Sequence, residues 1–563
     1  MNKEIFGVFG DTDLSEIRTE RAFDAVVSGP SMTVAVRDPA LGIPGRSAVY
    51  EDERGCCLVW GEAFSAADGV ADTAEWFFER YAQDGRAAFS ELNGSYLACV
   101  DYEGDAVVAT DPIRSWECFY TDATGVRTFG SDIGSLRSIL DEPSVDRHAL
   151  LEFLHLGTVL GERTVFDQIR RVPFDGYLTP AETAELDRFV YDPCDADEFD
   201  HVGELADRLR SAIARRSHYP GTKGLLLSAG QDSRTLLSQI PDIERCYTLG
   251  RAGSQEVDVA ERLAEQYGSD HEILEPCRRY LFAAGEKVRY SQGIKESLHI
   301  HHAAYDVDIE LDTMYHGLLY DTLFKGYFLQ EETLDVLGLE IPLKRLDDNP
   351  RPIDSLLDTL GFLPDGSDRL ADCVTPALDS LGFDADLEIA DPEAFLEDSL
   401  RSELRRCWSR ADSVHNLMDV LIIRNQPALP FRVHLADNYL EAFVTIDSEL
   451  LDWHLRTPPE LRNRDTVRAA IRRLDDDIYR HRPPDKPYDS HHLNQIERFA
   501  RRKLPFFDSF DPAWPDRRKM FHQSEMGERL FPDATTVQDL PPRQQLRVND
   551  LRWWFGEPRE KPT

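Results

Sequence analysis

The chain has 563 residues and a formal net charge of -40, with 103 Asp and Glu against 63 Lys and Arg. This length exceeds what one hydrophobic core usually holds, so we expect two or three domains, and the negative charge excludes nucleic acid as a partner of the general surface. No apolar run reaches the roughly 18 residues of a membrane helix, and no signal peptide is evident, so we expect a cytoplasmic protein with no membrane partner.

Two further features of the composition concern the salt concentration at which the protein works and the state of its cysteines. Only ten of the 63 basic residues are Lys. An acidic, Lys-poor composition is typical of proteins that work at high salt, where screening weakens the repulsion among surface carboxylates. The nine cysteines show no Cys-x-x-Cys or Cys/His spacing typical of zinc, so we expect reduced, mostly buried thiols.

The first 195 residues are rich in strand patterns. A turn at Glu103-Gly104-Asp105 separates two apolar runs and predicts a hairpin. We expect two layers of antiparallel sheet flanked by helices, which is an α+β sandwich. The predicted strands are 5–10, 33–36, 57–60, 96–101 and 106–110, and the predicted helix is 74–81.

Strand and helix patterns alternate after an acidic linker at 192–201. Apolar residues at helical spacing in 205–213 lead to the strand 224–227, and further strands are predicted at 246–250 and 271–274. Ser254 is placed to cap the helix between the last two. Alternation of this kind favours a Rossmann-like parallel sheet with helices on both faces, so the fold class is α/β.

The segment from Gly224 to Arg234 carries the strongest chemical signal. Three leucines form a buried strand, a turn of small residues follows, and a helix begins near Thr235. A strand, a tight turn and a helix N-terminus together make an anion site, because backbone N–H groups and the helix dipole favour negative charge. Asp232 places a carboxylate beside that anion, which suits Mg²⁺ bridging to phosphates. An ordinary strand–turn–helix is the alternative.

The loop has neither a Walker A ending nor the spaced glycines of a dinucleotide fold. It resembles the pyrophosphate loop Ser-Gly-Gly-x-Asp-Ser of ATP pyrophosphatases, with Ala229 in place of the first Gly. The resemblance implies ATP as the cofactor. The residues it assigns to ATP or pyrophosphate are Leu227, Ser228, Ala229, Gly230, Gln231, Asp232 and Ser233.

A second motif runs from Met314 to Tyr327 and resembles the Leu-Ser-Gly-x-Gly-x-Asp-Glu-Leu-Phe-x-Gly-Tyr pattern of the asparagine synthetase family. Leu319 replaces the second Gly and Thr322 the Glu. The resemblance implies that Gly317 borders ATP and that Asp321 joins Asp232 as a ligand of Mg²⁺, which neutralises charge on the leaving pyrophosphate. The alternative is that Asp321 only caps a helix.

The first half resembles the glutaminase domain of the same family, an N-terminal-nucleophile fold, at 92–97 and 129–133. That chemistry needs an N-terminal nucleophile, but the position falls on Phe6 or, shifted by three residues, on Lys3. The family's Asn-Gly-Glu appears only as Trp60-Gly61-Glu62. We therefore predict no glutaminase activity and a structural or covering role for this half.

Other candidate residues follow from the same resemblance. Lys295 and Tyr320 are expected to face the substrate, and Arg464 stands where the family carries a Lys that stabilises the reacting oxyanion. Three histidines at 299, 301 and 302 could bind a metal, although packing is the favoured interpretation. Residues 429–437, followed by 441–451, resemble the family's Glu-Val-Arg-x-Pro-Phe-Leu-Asp-x-x-Leu segment, without its Arg and Pro.

The resulting prediction divides the chain at 1–195, a glutaminase-like domain, 200–485, a synthetase-like domain, and 486–563, an extension docked on the second domain. The expected activity is an AMP-forming amide ligase that joins a small-molecule carboxylate to an amine or ammonia, without glutaminase activity. A degenerate ATP-binding or partner-binding module and a sulfur-transfer or RNA-modifying enzyme are the alternatives. The oligomeric state stays open, with a homodimer among the outcomes.

Overall fold

The structure is a computed structural model. None of its described helices is long and apolar enough to cross a membrane. The histidines at 299, 301 and 302 and the resemblance at 429–437 lie outside the described residues. The structure describes residues 3–12, 14–18, 22–65, 72–195, 197–281, 288–298, 305, 308–335, 340–383, 385–425, 439–484, 488, 491–503 and 515–556.

The strands are β1 Glu4–Phe9, β2 Ala25–Ser28, β3 Met32–Arg37, β4 Ala48–Asp52, β5 Gly55–Ser65, β6 Leu92–Tyr102, β7 Asp105–Thr110, β8 Phe119–Thr121, β9 Thr128–Gly130, β10 Arg170–Arg171, β11 Gly176–Leu178, β12 Thr183–Glu185, β13 Lys223–Leu226, β14 Ile243–Leu249, β15 Asp270–Leu274, β16 Thr313–His316, β17 Glu331–Asp335, β18 Glu340–Leu346 and β19 Leu440–Phe443.

The α-helices are α1 Leu14–Ile17, α2 Thr73–Asp84, α3 Ile133–Arg137, α4 Arg147–Leu156, α5 His201–Arg216, α6 Gln231–Gln239, α7 Gln255–Tyr267, α8 Tyr320–Phe324, α9 Pro352–Leu360, α10 Leu370–Asp379, α11 Pro392–Cys407, α12 Val414–Asn425, α13 Ser448–Arg456, α14 Arg464–Leu474, α15 His491–Lys503, α16 Arg517–Gln523, α17 Met526–Leu530, α18 Thr535–Gln538 and α19 Pro542–Phe555.

The first half contains two sheets in the orders β10-β8-β9-β1-β3-β2 and β12-β11-β7-β6-β5-β4. Their inner faces share one apolar core, in which Ile5 and Val34 of one sheet meet Leu58 and Leu97 of the other. Strand periodicity sends alternate residues to opposite faces, so Cys57 of β5 instead packs on the side of α2. The expected layers of antiparallel sheet with flanking helices are confirmed.

The second half is built on a parallel sheet in the order β15-β14-β13-β16-β19. Sequence order reverses at β13, because β14 and β15 extend to one side and β16 and β19 to the other. Ligands of open α/β sheets bind at the carboxyl ends of the strands that flank such a point. The fold therefore directs attention to the segments that follow β13 and β16.

Buried ion pairs join the two halves. The guanidinium of Arg216, on α5, donates to Glu62 at 2.6 Å and to Asp447 at 2.8 Å, and its side chain is fully buried. Glu62 also accepts the Tyr219 hydroxyl at 2.9 Å. Because isolated buried charges are costly, this network couples the antiparallel sheets to the parallel one.

The C-terminal helix α19 packs against both halves. Arg547 donates to the carbonyl oxygen of His155 at 2.8 Å and to the Glu296 carboxylate at 2.7 Å. The backbone N–H of Ser297 donates to Asp550 at 2.7 Å. The helix is therefore an internal support rather than a peripheral attachment.

Candidate functional site

Two sequence motifs meet at the carboxyl ends of β13 and β16. The loop 227–230 follows β13, and Gly317 follows β16. A Cβ atom on Gly317 would lie 3.0 Å from the Cβ atom of Asp232. The second motif thus lies in contact with the first turn of α6, and a side chain at position 317 would push Asp232 aside.

Hydroxyl groups hold the loop in its turn. The backbone N–H of Ser228 donates to the Ser233 hydroxyl at 3.0 Å, and the N–H of Gly230 donates to the Ser228 hydroxyl at 3.1 Å. The carbonyl of Leu227 accepts the Thr248 hydroxyl at 2.8 Å. These contacts hold the loop, which leads from β13 to α6, against the neighbouring strand β14.

Arg234 lies beneath the loop with a fully buried side chain. It donates to the carbonyl oxygens of Ala229 and Gly230, and to those of Ile478 at 2.9 Å and His481 at 2.7 Å. Burial lowers the pKa of Arg234 to about 10, so the side chain still carries its charge at neutral pH. The loop carbonyls are therefore held against a buried cation.

The N-terminus of α6 faces the same edge. Its N-cap is Gly230, which provides no side-chain cap, so the orphan N–H groups and the helix dipole favour an anion. The side-chain amide of Gln231 donates to the Tyr479 hydroxyl at 3.0 Å. One loop N–H already has an acceptor, because that of Ala229 donates to the Glu256 carboxylate at 2.7 Å.

Lys325 bridges the two predicted metal ligands. Its ammonium contacts Asp232 and lies 2.8 Å from Asp321, its i−4 neighbour. The side chains of Asp232 and Asp321 are 21% and 52% exposed, against 7% for Lys325. Burial alone would lower the pKa of Lys325, but the two carboxylates outweigh it and the pKa is raised.

This arrangement does not fit the predicted magnesium site. The Lys325 ammonium pairs with both Asp232 and Asp321, so a Mg²⁺ ion shared by the two carboxylates would have to displace it. The nucleotide part of the prediction fits better, since the uncapped helix start and the small loop residues suit an anion.

Two tyrosines frame the bridged carboxylates. Tyr320 is 1% exposed, and the Lys325 ammonium lies 5.4 Å from the centre of its ring. Tyr320 therefore forms the buried floor under Lys325, rather than the substrate-facing surface predicted from sequence. Burial raises the pKa of Tyr479 to about 12, against the opposing charges of Arg468 and other nearby arginines.

Helix α14 carries arginines at three successive i, i+4 positions. Arg464 is the exposed first residue of the helix. Arg472 stacks over the Tyr479 ring at 5.4 Å, and Arg468 lies one turn before it. The charges near Tyr479 are thus those of Arg468, Arg234 and Arg472. The assignment of Arg464 to an oxyanion stays a prediction.

Lys295 does not face an open substrate surface. Its backbone pairs with that of Thr158, its side chain is 2% exposed, and its Nζ atom has no hydrogen-bond partner among the described residues. Burial lowers the pKa of Lys295 to about 7. Lys295 therefore does not face the substrate as predicted, because this segment is enclosed between the first half and α19.

The positions that correspond to a glutaminase site hold structural contacts. Lys3 is buried and its ammonium lies 2.6 Å from Glu441 of β19, while Phe6 is buried within β1. Seven of the nine cysteines are buried and none is disulfide-bonded. Burial raises the pKa values of Cys56 and Cys57, which disfavours the reactive thiolate.

Three residues of the site were missed by sequence reasoning. Lys325 had a usable signal, because it is one of ten lysines and follows Asp321 at helical i, i+4 spacing. Glu256, the second residue of α7, accepts the N–H of Ala229, but its residue type alone does not distinguish it from the many other acidic residues of the chain. Tyr479 belongs to a segment with no motif, so only the fold reveals it.

Comparisons with known proteins add little to this geometry. No protein-family model and no curated protein matches the chain. Among solved structures, glutamine phosphoribosylpyrophosphate (PRPP) amidotransferase from B. subtilis, complexed with ADP and GMP, is 10% identical over 56% of this chain and 75% of that chain, with a TM-score of 0.22. The allosteric regulatory enzyme of purine biosynthesis is 10% identical over 58% and 70%, with a TM-score of 0.20.

Proposed function

We propose that the protein is an ATP-dependent, AMP-forming amide ligase of the asparagine synthetase type, acting on a small-molecule carboxylate. One observation carries this proposal: the pyrophosphate-loop motif and the Gly317–Asp321 motif are in contact at the point where the order of the parallel sheet reverses. A chance resemblance would not require two motifs, separated by more than 80 residues in the sequence, to share one sheet edge.

The proposed reaction has two steps. A carboxylate oxygen attacks the α-phosphorus of ATP, the bond from that phosphorus to the bridging oxygen breaks, and pyrophosphate leaves. An amine then attacks the acyl carbon, loses a proton, and AMP departs with the electron pair of the broken C–O bond. The uncapped start of α6 would bind the leaving pyrophosphate, and Arg468 and Arg472 would balance its charge.

In this proposal the first half is an inactive cover for the second half. A glutaminase needs a nucleophile at the start of β1, yet Lys3 there forms an ion pair with Glu441. Free ammonia or an amine is therefore the proposed nitrogen donor. The acid stays unidentified, and ordinary asparagine synthesis is disfavoured because the glutamine-derived ammonia source is missing.

The test is ATP–pyrophosphate exchange in molar KCl, with and without Mg²⁺, across a panel of amino acids and sugar acids. We expect exchange that requires one acid and is lost in Asp232→Ala. Asp398→Ala is the matched control, because Asp398 is 82% exposed on α11. Failure of every acid to support exchange, together with no heat of ATP binding, would refute the ligase.

A second candidate is a non-catalytic nucleotide-binding or partner-binding module. Its support is that charged groups of the site already have partners within the chain, with Lys325 between the carboxylates and Glu256 on a loop N–H. Leu319 and Ala229, which replace family glycines, favour it as well. Binding of ATP without exchange for any acid would select this candidate.

A further inference from the structure

Lys325 is held in place by the backbone around it. Its own N–H donates to the carbonyl of Asp321 at 3.2 Å, which closes α8. Gly326, the next residue, has φ +59°, and a Cβ atom there would lie 2.5 Å from the carbonyl oxygen of Arg462. Only glycine fits this close approach, so the chain direction at Lys325 is fixed.

The side chain is equally constrained. It is 93% buried, it passes the ring of Tyr320 at 5.4 Å, and its ammonium ends between two carboxylates contributed by different motifs. A surface lysine would instead keep its ammonium in water and sample many rotamers. Lys325 is thus a built-in cation at the sheet edge.

We propose that Lys325 takes the place of a divalent cation, so that nucleotide phosphates bind at this edge without a metal ion shared by Asp232 and Asp321. This inference rests on the proposed function for its ligand. The position of the ammonium does not depend on it, because its two ion pairs are formed within the chain.

The charges near the loop are compatible with this role. Asp232, Asp321 and Glu256 contribute three negative charges, against which Lys325 and the buried Arg234 contribute two positive ones. Of the pair Asp232 and Asp321, Lys325 neutralises one charge, where Mg²⁺ would neutralise both. Arg468 and Arg472 act on Tyr479, which is hydrogen-bonded to the first residue of α6. They supply the remaining positive charge that a triphosphate requires.

The first experiment needs no variant. ATP is titrated into the wild-type protein by calorimetry in molar KCl, once with EDTA and once with Mg²⁺. We expect dissociation constants within about threefold of each other, because the cation is part of the protein. A larger gain in affinity with Mg²⁺ would overturn the inference.

The second experiment uses Mn²⁺ alone, read by electron paramagnetic resonance without nucleotide. Lys325→Ala opens the space between the carboxylates, so it should bind one Mn²⁺ more than the wild type, and Lys325→Ala/Asp232→Asn should lose that ion. Lys519→Ala is the control, because Lys519 is an exposed lysine on α16. No additional ion in Lys325→Ala, or an ion in the wild type that Asp232→Asn removes, would contradict the role of Lys325.

The two experiments separate the two proposals. If ATP binds under neither condition, the proposed function fails, while Mn²⁺ binding still decides whether Lys325 fills the cation position. If ATP binds only with Mg²⁺, the nucleotide site stands and the replacement of the metal by Lys325 is refuted.

Discussion

The molecule has two places where the resembled family would carry out chemistry, and they differ in how their polar groups are paired. At the start of β1 and at Glu62, the charged groups are buried and pair across the two halves. At the ends of β13 and β16, Asp232 and Asp321 keep partial exposure beside an uncapped helix start. The comparison teaches that the first place is a structural joint, whereas the second keeps partly exposed carboxylates beside a helix start without a side-chain cap.

The joint should respond most strongly to mutation. Arg216→Ala removes the cation that Glu62 and Asp447 share, although Arg46 still contacts Glu62 and Arg215 still pairs with Asp447 at 2.7 Å. We expect the free energy of unfolding to fall by about 3 kcal/mol, the lower end of the cost of breaking a buried ion pair. Guanidinium chloride unfolding in molar KCl measures the loss.

Arg210→Ala is the matched control on the same helix. Arg210 is 53% exposed and pairs with the exposed Asp207, so its loss should cost less than about 1 kcal/mol. Equal effects of the two substitutions would show that the buried network does not join the halves.

The pH dependence of stability tests whether Lys295 is buried in the region beside the joint. Its folded pKa of about 7 lies below the unfolded value of 10.5, so the unfolded chain binds more protons between these values. Wild-type stability should therefore rise with pH from about 7 to 10, by up to about 1.4 kcal/mol per pH unit.

Lys295→Met should remove this rise. It should also stabilise the protein at pH 7 by about 1 to 3 kcal/mol, because a buried amine with no hydrogen-bond partner among the described residues is replaced by an apolar side chain. Thermal unfolding of both proteins across the pH range provides the comparison. A pH dependence unchanged by the substitution would argue against a buried, unpaired Lys295.

The smallest expected effect concerns the backbone after β16, at the sheet edge where the two motifs meet. Leu319 adopts φ +62° where the resembled motif has glycine. Leu319→Gly should therefore be more stable than Leu319→Ala by roughly 0.5 to 1 kcal/mol, the reverse of the order at ordinary positions. The ordinary order, with Ala more stable, would mean that the left-handed conformation is not adopted.

Sequence patterns were sufficient where a feature depends on neighbouring residues. The apolar run before Ser228 and the small residues after it predicted the strand, the loop and a following helix, which begins at Gln231 rather than near Thr235. Ser254 caps α7 as expected. The antiparallel layers followed from alternation in the first half in the same way. Local patterning determines these elements, because their hydrogen bonds and burial repeat with a short period.

Features that depend on distant contacts could not be read in this way. The contact between Lys325 and Asp232 joins residues 93 positions apart, and the order of the parallel strands is a property of the assembled sheet. Burial of Lys295 depends on α19, which lies some 250 residues later. Sequence gave the chemical type of these residues but not their partners.

The central claim is that the start of α6 binds the phosphates of ATP. Gln231→Glu tests it directly. The helix dipole stabilises the added negative charge at the first residue of the helix, but the same charge repels a triphosphate. Tyr479, whose hydroxyl now accepts from Gln231, can donate to the new carboxylate, so the fold should be retained.

Gln239→Glu is the control, since it adds the same charge at the other end of α6, about 12 Å away. In calorimetric titrations with ATP, the account predicts one site in the wild type, at least tenfold weaker binding by Gln231→Glu, and little change for Gln239→Glu. No binding by the wild type, or equal affinity in all three proteins, would contradict it.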